Sequence, residues 1–267
     1  MNRDSTILEF DHVSFTYKPP DGPWVLHSVT ISVARGECVV ILGPNGTGKT
    51  TLCNIAFGLL VPTQGTVRRN GGDAETLSRD AALVFQGESL FPWMKAIHQV
   101  AFALECADIP RRQCLDKARD ALREMGVEGA AELYPHQLSG GMRKRVVLAR
   151  AFVRNPHIIL MDEPFSELDA PTREQIQEQV CALRQNHGIT LLAVSHDPDE
   201  AAFLATRVIL LQPHGGTVAA VLESPLGDKT RTPELRMTSE FLDFRTELWK
   251  RLHALNNAAK QSKAVKQ

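Results

Sequence analysis

Short apolar runs along the chain alternate with segments of helical periodicity. The continuous apolar runs lie at 38–42, 157–161 and 190–194. Runs of this length are typical of strands in a parallel sheet that is covered on both faces. Polar residues follow each run directly, and the ligands of open α/β sheets bind beyond the carboxyl ends of the strands. The pattern therefore predicts an α/β fold with a binding site at one edge of its sheet.

The chain before and between these runs is predicted from simpler patterns. Alternation of apolar and polar residues predicts a strand near a sheet edge over 7–17, and 25–33 is predicted as a second strand. Turn-forming residues predict turns over 62–72. Further predicted elements are strands at 81–85, 208–211 and 218–222, and helices at 49–59 and 171–186.

Two longer stretches depart from the alternation of strands and helices. Residues from about 88 to 150 are predicted to form an inserted helical subdomain, because apolar residues recur there at helical spacing. Past residue 230 the chain is polar and helix-prone. Its end carries Lys260, Lys263 and Lys266 with few apolar anchors, so we expect this tail to fray. Membrane binding by these lysines is an alternative role.

Composition excludes several classes of function. The 267 residues suffice for one large α/β domain, and the net charge of −1 supplies no global basic field, so no nucleic-acid partner is expected. Five cysteines without a CxxC spacing predict reduced thiols. Neither a signal peptide over 1–9 nor an apolar run of about 20 residues is found, so any membrane role requires a partner.

A glycine-rich segment after the first buried strand fits the phosphate-binding pattern GxxxxGK[ST]. Glycines let several backbone N–H groups face one anion, and the following helix presents its N-terminus to phosphates. Lys49 is predicted to reach the β and γ phosphates, and the Thr50 hydroxyl to bind Mg²⁺. The predicted nucleotide contacts are Gly43, Pro44, Asn45, Gly46, Thr47, Gly48, Lys49, Thr50 and Thr51.

Two adjacent carboxylates, Asp162 and Glu163, end the second buried run. Asp162 suits direct or indirect Mg²⁺ binding, and Glu163 suits the acceptance of a proton from an attacking water. The alternative is a solvated strand end, which the neighbouring phosphate loop disfavours.

The stretch Leu138-Ser139-Gly140-Gly141-Met142 resembles the signature sequence of ABC ATPases. The resemblance covers roughly 6–225 and implies an ABC transporter ATP-binding domain over 6–230, with a helical C-terminal extension over 231–267. The implied fold is a P-loop NTPase (RecA-like) core with an antiparallel β subdomain and an inserted helical subdomain. In that family the signature closes over the γ-phosphate of the opposite subunit, so a homodimer traps two ATP molecules.

The resemblance also assigns roles to individual residues. Tyr17 resembles the aromatic residue that stacks on adenine, although a plain edge-strand tyrosine beside Phe15 is an alternative. Gln86 resembles the glutamine that contacts Mg²⁺ and water, and His196 the histidine at the γ-phosphate. Asp169 resembles the aspartate at the dimer seam. The implied cofactors are ATP and Mg²⁺, with Thr50, Gln86 and Asp162 as metal contacts, and with Glu163 and His196 as catalytic residues.

Two positions depart from the family pattern. Met142 stands where many members have glutamine, and Glu167 stands where alanine is common, which adds charge beside the dimer seam. Neither residue belongs to the expected catalytic chemistry, so hydrolysis is expected to persist.

The segment Phe91-Pro92-Trp93, after Gln86, resembles the nitrate, sulfonate and taurine importer ATPases. It implies docking to transmembrane permease subunits at the cytoplasmic face of the inner membrane, with an extracytoplasmic solute-binding protein as an indirect partner. An exposed apolar turn is the alternative. Two other functions stay open on sequence alone: a soluble non-transport ABC ATPase that acts on a macromolecule, and a nucleotide-gated module without turnover.

Overall fold

The fold alternates strands and helices, as the sequence predicts. The computed structural model describes residues 6–20, 22–74, 80–87, 89–105, 109–213 and 215–264, with side chains to 258. Its strands are β1 (Thr6–Phe15), β2 (Leu26–Ala34), β3 (Cys38–Leu42), β4 (Gln64–Arg69), β5 (Gly72–Asp73), β6 (Ala81–Val84), β7 (Ile158–Asp162), β8 (Thr190–Ser195), β9 (Arg207–Leu211) and β10 (Val218–Glu223). Its α-helices are α1 (Lys49–Phe57), α2 (Ala96–Phe102), α3 (Arg111–Glu124), α4 (Gly140–Phe152), α5 (Ala170–His187), α6 (Pro198–Leu204) and α7 (Ser239–Ala264).

The larger sheet has the order β10-β9-β3-β8-β7-β6 and is parallel except for β10. Every residue of β3, β7 and β8 is buried. Along β3, Val39 and Ile41 pack into one core cluster, while Val40 and Leu42 pack into another. The sheet is therefore covered on both faces, which explains the continuous apolar runs.

The register of this sheet brings three strand ends together. Leu42 of β3 pairs with Ser195 of β8, and Asp162 of β7 pairs with Val194 of β8. The residues that follow these strands therefore emerge side by side at one edge.

The smaller sheet is antiparallel, with the order β2-β1-β4-β5. The prediction of turns over 62–72 is wrong, because 64–69 form β4 against β1. Only Val67 and Arg69 of β4 are buried, so the strand lacks the apolar alternation that would reveal it. Backbone hydrogen bonding to β1, rather than an apolar pattern, makes this segment a strand.

The helical subdomain contains α2, α3 and α4. Their buried residues share one core cluster with the face of the larger sheet, among them Val100, Leu122 and Val146. Ser139, which precedes α4, caps the helix by accepting a hydrogen bond from the Met142 N–H at 3.2 Å.

The C-terminal extension is mainly helix α7. Phe241, Phe244, Leu248 and Leu252 are buried at helical spacing and fix one face of α7 to the core. Helix α7 extends to Ala264, and the expected fraying of the tail stays a prediction, with residues 265–267 outside the described part. Among the described helices, none combines the length and apolar character that a membrane crossing requires.

The described cysteines agree with the prediction of reduced thiols. Cys38, Cys53, Cys114 and Cys181 are buried and free. Cys106 lies outside the described residues.

Candidate functional site

The phosphate-binding loop joins β3 to α1 at the edge where the strand ends meet. Gly48 takes a left-handed conformation with φ of 88° at the start of α1. A Cβ atom there would lie 2.8 Å from Leu26 Cδ2 and 2.9 Å from the Val25 carbonyl oxygen, so both backbone angle and space require glycine. No side chain caps the N-terminus of α1, which leaves its first N–H groups for a ligand.

Lys49 is held inside this loop. Its Nζ atom donates hydrogen bonds to the carbonyl oxygens of Gly43 at 2.9 Å and Pro44 at 3.0 Å. Burial lowers the pKa of Lys49, and the nearby carboxylates of Glu163 and Asp162 oppose that shift. The loop therefore holds a partly desolvated cation that an anion would stabilise.

Asp162 and Thr50 connect β7 to α1. The Thr50 hydroxyl donates a hydrogen bond to Asp162 Oδ1 at 3.0 Å. Burial raises the pKa of Asp162, while the bond from Thr50 and the charge of Lys49 lower it. These oxygens lie beside the phosphate loop, as predicted from the order of the motifs.

Glu163 is the point where three predicted residues meet. Gln86 Nε2 donates to Glu163 Oε2 at 3.3 Å, and His196 Nδ1 lies 3.2 Å from Glu163 Oε1. The backbone of Glu163 has a φ of 44°, in the left-handed region that favours glycine, and its N–H donates to the Val194 carbonyl oxygen. The sequence did not reveal this turn of the backbone, which directs the carboxylate toward Gln86 and His196.

A cavity of about 480 Å³ adjoins the loop. It is lined by Tyr17, Val25, Asn45, Gly46, Gly48, Lys49, Thr50, Thr51, Gln86 and Glu163. Tyr17 is 63% exposed, its hydroxyl lies 3.1 Å from Thr51 Oγ1, and its ring packs edge-on against Phe15. The wall residue Val25 was not predicted, because no motif marks it.

Two other predicted loop residues, Thr47 and Gly43, hold the loop in place through hydrogen bonds. Thr47 is buried, and its hydroxyl donates to the Pro44 carbonyl oxygen at 2.9 Å. The Gly43 N–H donates to the Ser195 carbonyl oxygen at 3.4 Å and joins the loop to β8.

Ser139, Gly140, Gly141 and Asp169 do not line this cavity within the chain. Gly140 instead borders a separate space with residues of the turn before α5. Asp169 caps α5 by accepting a hydrogen bond from the Thr172 N–H at 3.3 Å. Hydrogen bonding to the Thr172 side chain, and then to its backbone N–H, lowers the pKa of Asp169. One chain therefore brings together all of the predicted site except its signature and seam residues.

Comparisons with known proteins agree with this geometry. The family model described as ABC transporter matches residues 26–166. The taurine import ATP-binding protein TauB of Escherichia coli O157:H7 is 41% identical over 77% of this chain and 81% of its own length. TauB of Pseudomonas entomophila (strain L48) is 39% identical over 84% of this chain and 86% of its own.

Solved structures show the same fold. The dimeric post-hydrolysis state of the ATP-binding cassette MJ0796, bound to ADP and Pi, aligns with a TM-score of 0.73 and 31% identity, over 81% of this chain and 98% of that one. The structure of cbiO1 from Clostridium perfringens, part of the transporter complex cbiONQ, aligns with a TM-score of 0.75 and 24% identity, over 94% of this chain and 99% of that one. The predicted P-loop NTPase fold is confirmed, and the chain belongs to the ABC transporter family as one of its ATP-binding ATPases.

Proposed function

We propose that the chain hydrolyses ATP as the energising subunit of an importer, in a homodimer whose two chains each complete the other's site. The observation that carries the proposal is the meeting of Lys49, Asp162 and Glu163 beside one glycine-rich helix start. A cation, a metal-binding carboxylate and a second carboxylate that can accept a proton are the groups that suit phosphoryl transfer to water.

Nucleotide binding follows from the loop. The free N–H groups at the start of α1 and the Lys49 ammonium would hold the phosphates of ATP. The exposed ring of Tyr17 would stack on adenine, since its hydroxyl contact with Thr51 holds the ring over the rim of the cavity.

The oxygen donors beside the loop fit Mg²⁺. Thr50, Asp162 and Gln86 offer hydroxyl, carboxylate and amide oxygens, which are hard ligands, with phosphate oxygens as the remaining ones. The described residues contain no cluster of His, Cys, Asp and Glu that could hold a metal alone. When bound, Mg²⁺ would neutralise charge on the phosphate oxygens.

Hydrolysis is assigned to the Glu163 group. The Glu163 carboxylate would orient the attacking water and accept its proton, while Gln86 and His196 hold the carboxylate in place. His196 would also contact the γ-phosphate. Positioning and electrostatics supply most of the rate in such reactions.

The second half of each site would come from the partner chain. Helix α4 presents its N-terminus and small residues at Ser139, Gly140 and Gly141, but these lie outside the chain's own cavity. A two-fold, head-to-tail pair would place this helix end against the γ-phosphate on the other chain, with Asp169 at the seam.

An aromatic cluster supports docking to permease subunits. Phe91 packs against Trp93 at 5.5 Å and against Phe102 at 5.4 Å between ring centroids, and Trp93 is 72% exposed. Exposed aromatic clusters mark interfaces more often than solvent-facing turns. Through this contact the chain would sit at the cytoplasmic face of the inner membrane, and a solute-binding protein would act only indirectly.

The solute is proposed to be a small sulfonate such as taurine, or a related nitrate-type solute, from the TauB relatives. Deleting the gene in the organism that encodes it tests this. Growth on one organosulfonate, or on nitrate, as sole sulfur or nitrogen source should be lost and restored by the wild-type chain but not by Lys49→Ala. Unchanged growth on every such source would contradict the proposed solute class.

A further inference from the structure

The aromatic cluster stands on a loop whose backbone is held by one buried side chain. We name residues 89–94 the docking loop. Gln99 of α2 is fully buried, and its side-chain oxygen accepts a hydrogen bond from the Phe91 N–H at 3.1 Å. Its amide nitrogen donates to the carbonyl oxygens of Phe91 at 2.6 Å and Met94 at 3.1 Å. The Met94 N–H closes the loop onto the Phe91 carbonyl oxygen at 3.1 Å.

This arrangement explains how an apolar cluster stays exposed without collapsing. The backbone of the docking loop turns its polar groups inward to Gln99, so the rings of Phe91 and Trp93 are left on the outer side. A buried amide that uses both its donors and its acceptor fixes a single loop conformation, because any other would leave it unsatisfied.

A second side chain, Arg150 of helix α4, also holds the docking loop. Arg150, in the last turns of α4, donates to the Ser89 carbonyl oxygen at 2.8 Å and to the Ser89 hydroxyl at 2.7 Å. The same helix begins at Ser139 and Gly140. One rigid helix therefore connects the start of the docking loop to the signature residues.

Helix α2 is itself tied to the helical subdomain. The N–H groups of Ala96 and Ile97 donate to the carbonyl oxygens of Leu133 at 2.8 Å and Ala131 at 2.9 Å. Ile97 and Val100 are buried in the core cluster that also contains α4. Gln99 and Arg150 thus hold the docking loop to a single packed unit.

We propose that Gln99 and Arg150 are positioning residues that make the docking loop and helix α4 move as one body. A displacement of Phe91 and Trp93 by a permease would then be passed to Ser139 and the glycines after it, and closure of the signature on nucleotide would be passed back. The proposal rests on the proposed docking function, but the link itself operates within this chain and is measurable without a permease.

Hydrogen exchange of the whole chain, followed by mass spectrometry, tests this link. The variants are Gln99→Met, which keeps length but removes all three bonds, and Arg150→Lys, which keeps charge but cannot form the paired contact. Gln177→Met is the matched control, since Gln177 is also a buried glutamine, but it bonds Arg236 on another face. Each variant is made in a chain that also carries Glu163→Gln. Its rate of hydrogen exchange is measured with and without Mg-ATP over residues 89–95, which include the docking loop, and over 138–143, which include the signature.

Without nucleotide, Gln99→Met should speed exchange over 89–95 about tenfold, and the Gln177→Met control should not. With Mg-ATP, exchange should slow over both segments in the Glu163→Gln chain. The Gln99→Met and Arg150→Lys variants should keep the response over 138–143 and lose it over 89–95. Gln99→Asn, which shortens the same amide, replaces Gln99→Met if that variant does not fold.

An ATP response over 89–95 that survives in both the Gln99→Met and the Arg150→Lys variants would overturn the proposal, because these two side chains would then not carry the link. The docking function fails separately, if a Phe91→Ser/Trp93→Ser double variant still assembles with its permease. That result would leave the exchange experiment and its interpretation unchanged.

Discussion

Two helix starts in this chain are built alike in composition but differ in their surroundings. Helix α1 begins at Lys49, directly after Gly48 and with no side-chain cap, beside the carboxylates of Asp162 and Glu163. Helix α4 begins at Gly140 with Ser139 as its cap, and the space beside it is bordered by Arg143 and Lys144. The first start gathers the groups that we propose to bind phosphate and metal. The second offers the positive end of a helix and small residues, but it lies outside the cavity that Glu163 lines, so its proposed role requires a second chain.

The largest expected effect on ATP hydrolysis comes from a change at the start of helix α1. Lys49→Ala removes the cation that the phosphate loop encloses at Gly43 and Pro44. ATP hydrolysis by the purified chain should fall by about 100-fold or more, which corresponds to roughly 3 kcal/mol of transition-state stabilisation. A phosphate-release assay at saturating ATP measures this, and loss of less than tenfold would remove Lys49 from its assigned role.

The next prediction separates the two glycines at the α4 side. A Cβ atom on Gly141 would meet Thr172 Cγ2 of α5 at 2.6 Å, whereas one on Gly140 would meet Arg143 Nη2 at 3.8 Å. Gly141→Ala should therefore lower the free energy of unfolding by about 1–3 kcal/mol through overpacking. Gly140→Ala should leave stability intact, yet weaken ATP-driven dimers. Urea unfolding compared with light scattering tests both, and equal stability of the two variants would contradict the packing argument.

A smaller effect on ATP hydrolysis is expected at the aromatic cluster of the docking loop. Phe91→Ser/Trp93→Ser removes two rings of the aromatic cluster but none of the contacts of the phosphate loop. Hydrolysis by the isolated chain should stay within about twofold of wild type, while stimulation by the permease should be lost. A normal response to the permease would contradict docking at this cluster.

The last prediction concerns stability rather than activity, at a buried acid of helix α6. Burial, and then the charge of Asp197, raise the pKa of Glu200 from 4.5 to about 8, while a hydrogen bond with Ser195 opposes the shift. The folded chain therefore binds more protons than the unfolded chain between about pH 4.5 and 8. The contribution of Glu200 to the free energy of unfolding is fully present below this window. It is lost as the pH rises through the window, by up to about 1.4 kcal/mol for each pH unit.

Glu200→Gln should remove this dependence. Urea unfolding of both proteins at pH 5, 6, 7 and 8 gives the difference, in which the titrations of other groups largely cancel. The free energy of unfolding of the variant should rise relative to that of the wild type as the pH rises. A difference that stays constant from pH 5 to 8 would show that Glu200 is ionised in the folded chain at all these pH values.

The sequence predicted the α1 side well because its chemistry is local. The glycine spacing, the lysine and the carboxylates at strand ends depend on neighbours in the chain and on one parallel register, such as Leu42 with Ser195. Strand β4 and the left-handed backbone of Glu163 were missed, because each depends on a partner far along the chain. The anchoring of the docking loop by Gln99 is likewise invisible in a single sequence, since a lone buried glutamine has no recognisable pattern.

The most direct measurement of the central claim is the mass of the Glu163→Gln chain in solution with Mg-ATP. Light scattering should give twice the 29.5 kDa of one chain with Mg-ATP and a single chain without it. A bulky residue in place of Ser139 should abolish the doubling, while ATP binding persists. A chain that stays monomeric when saturated with Mg-ATP, or a dimer that tolerates the change at Ser139, would contradict the account.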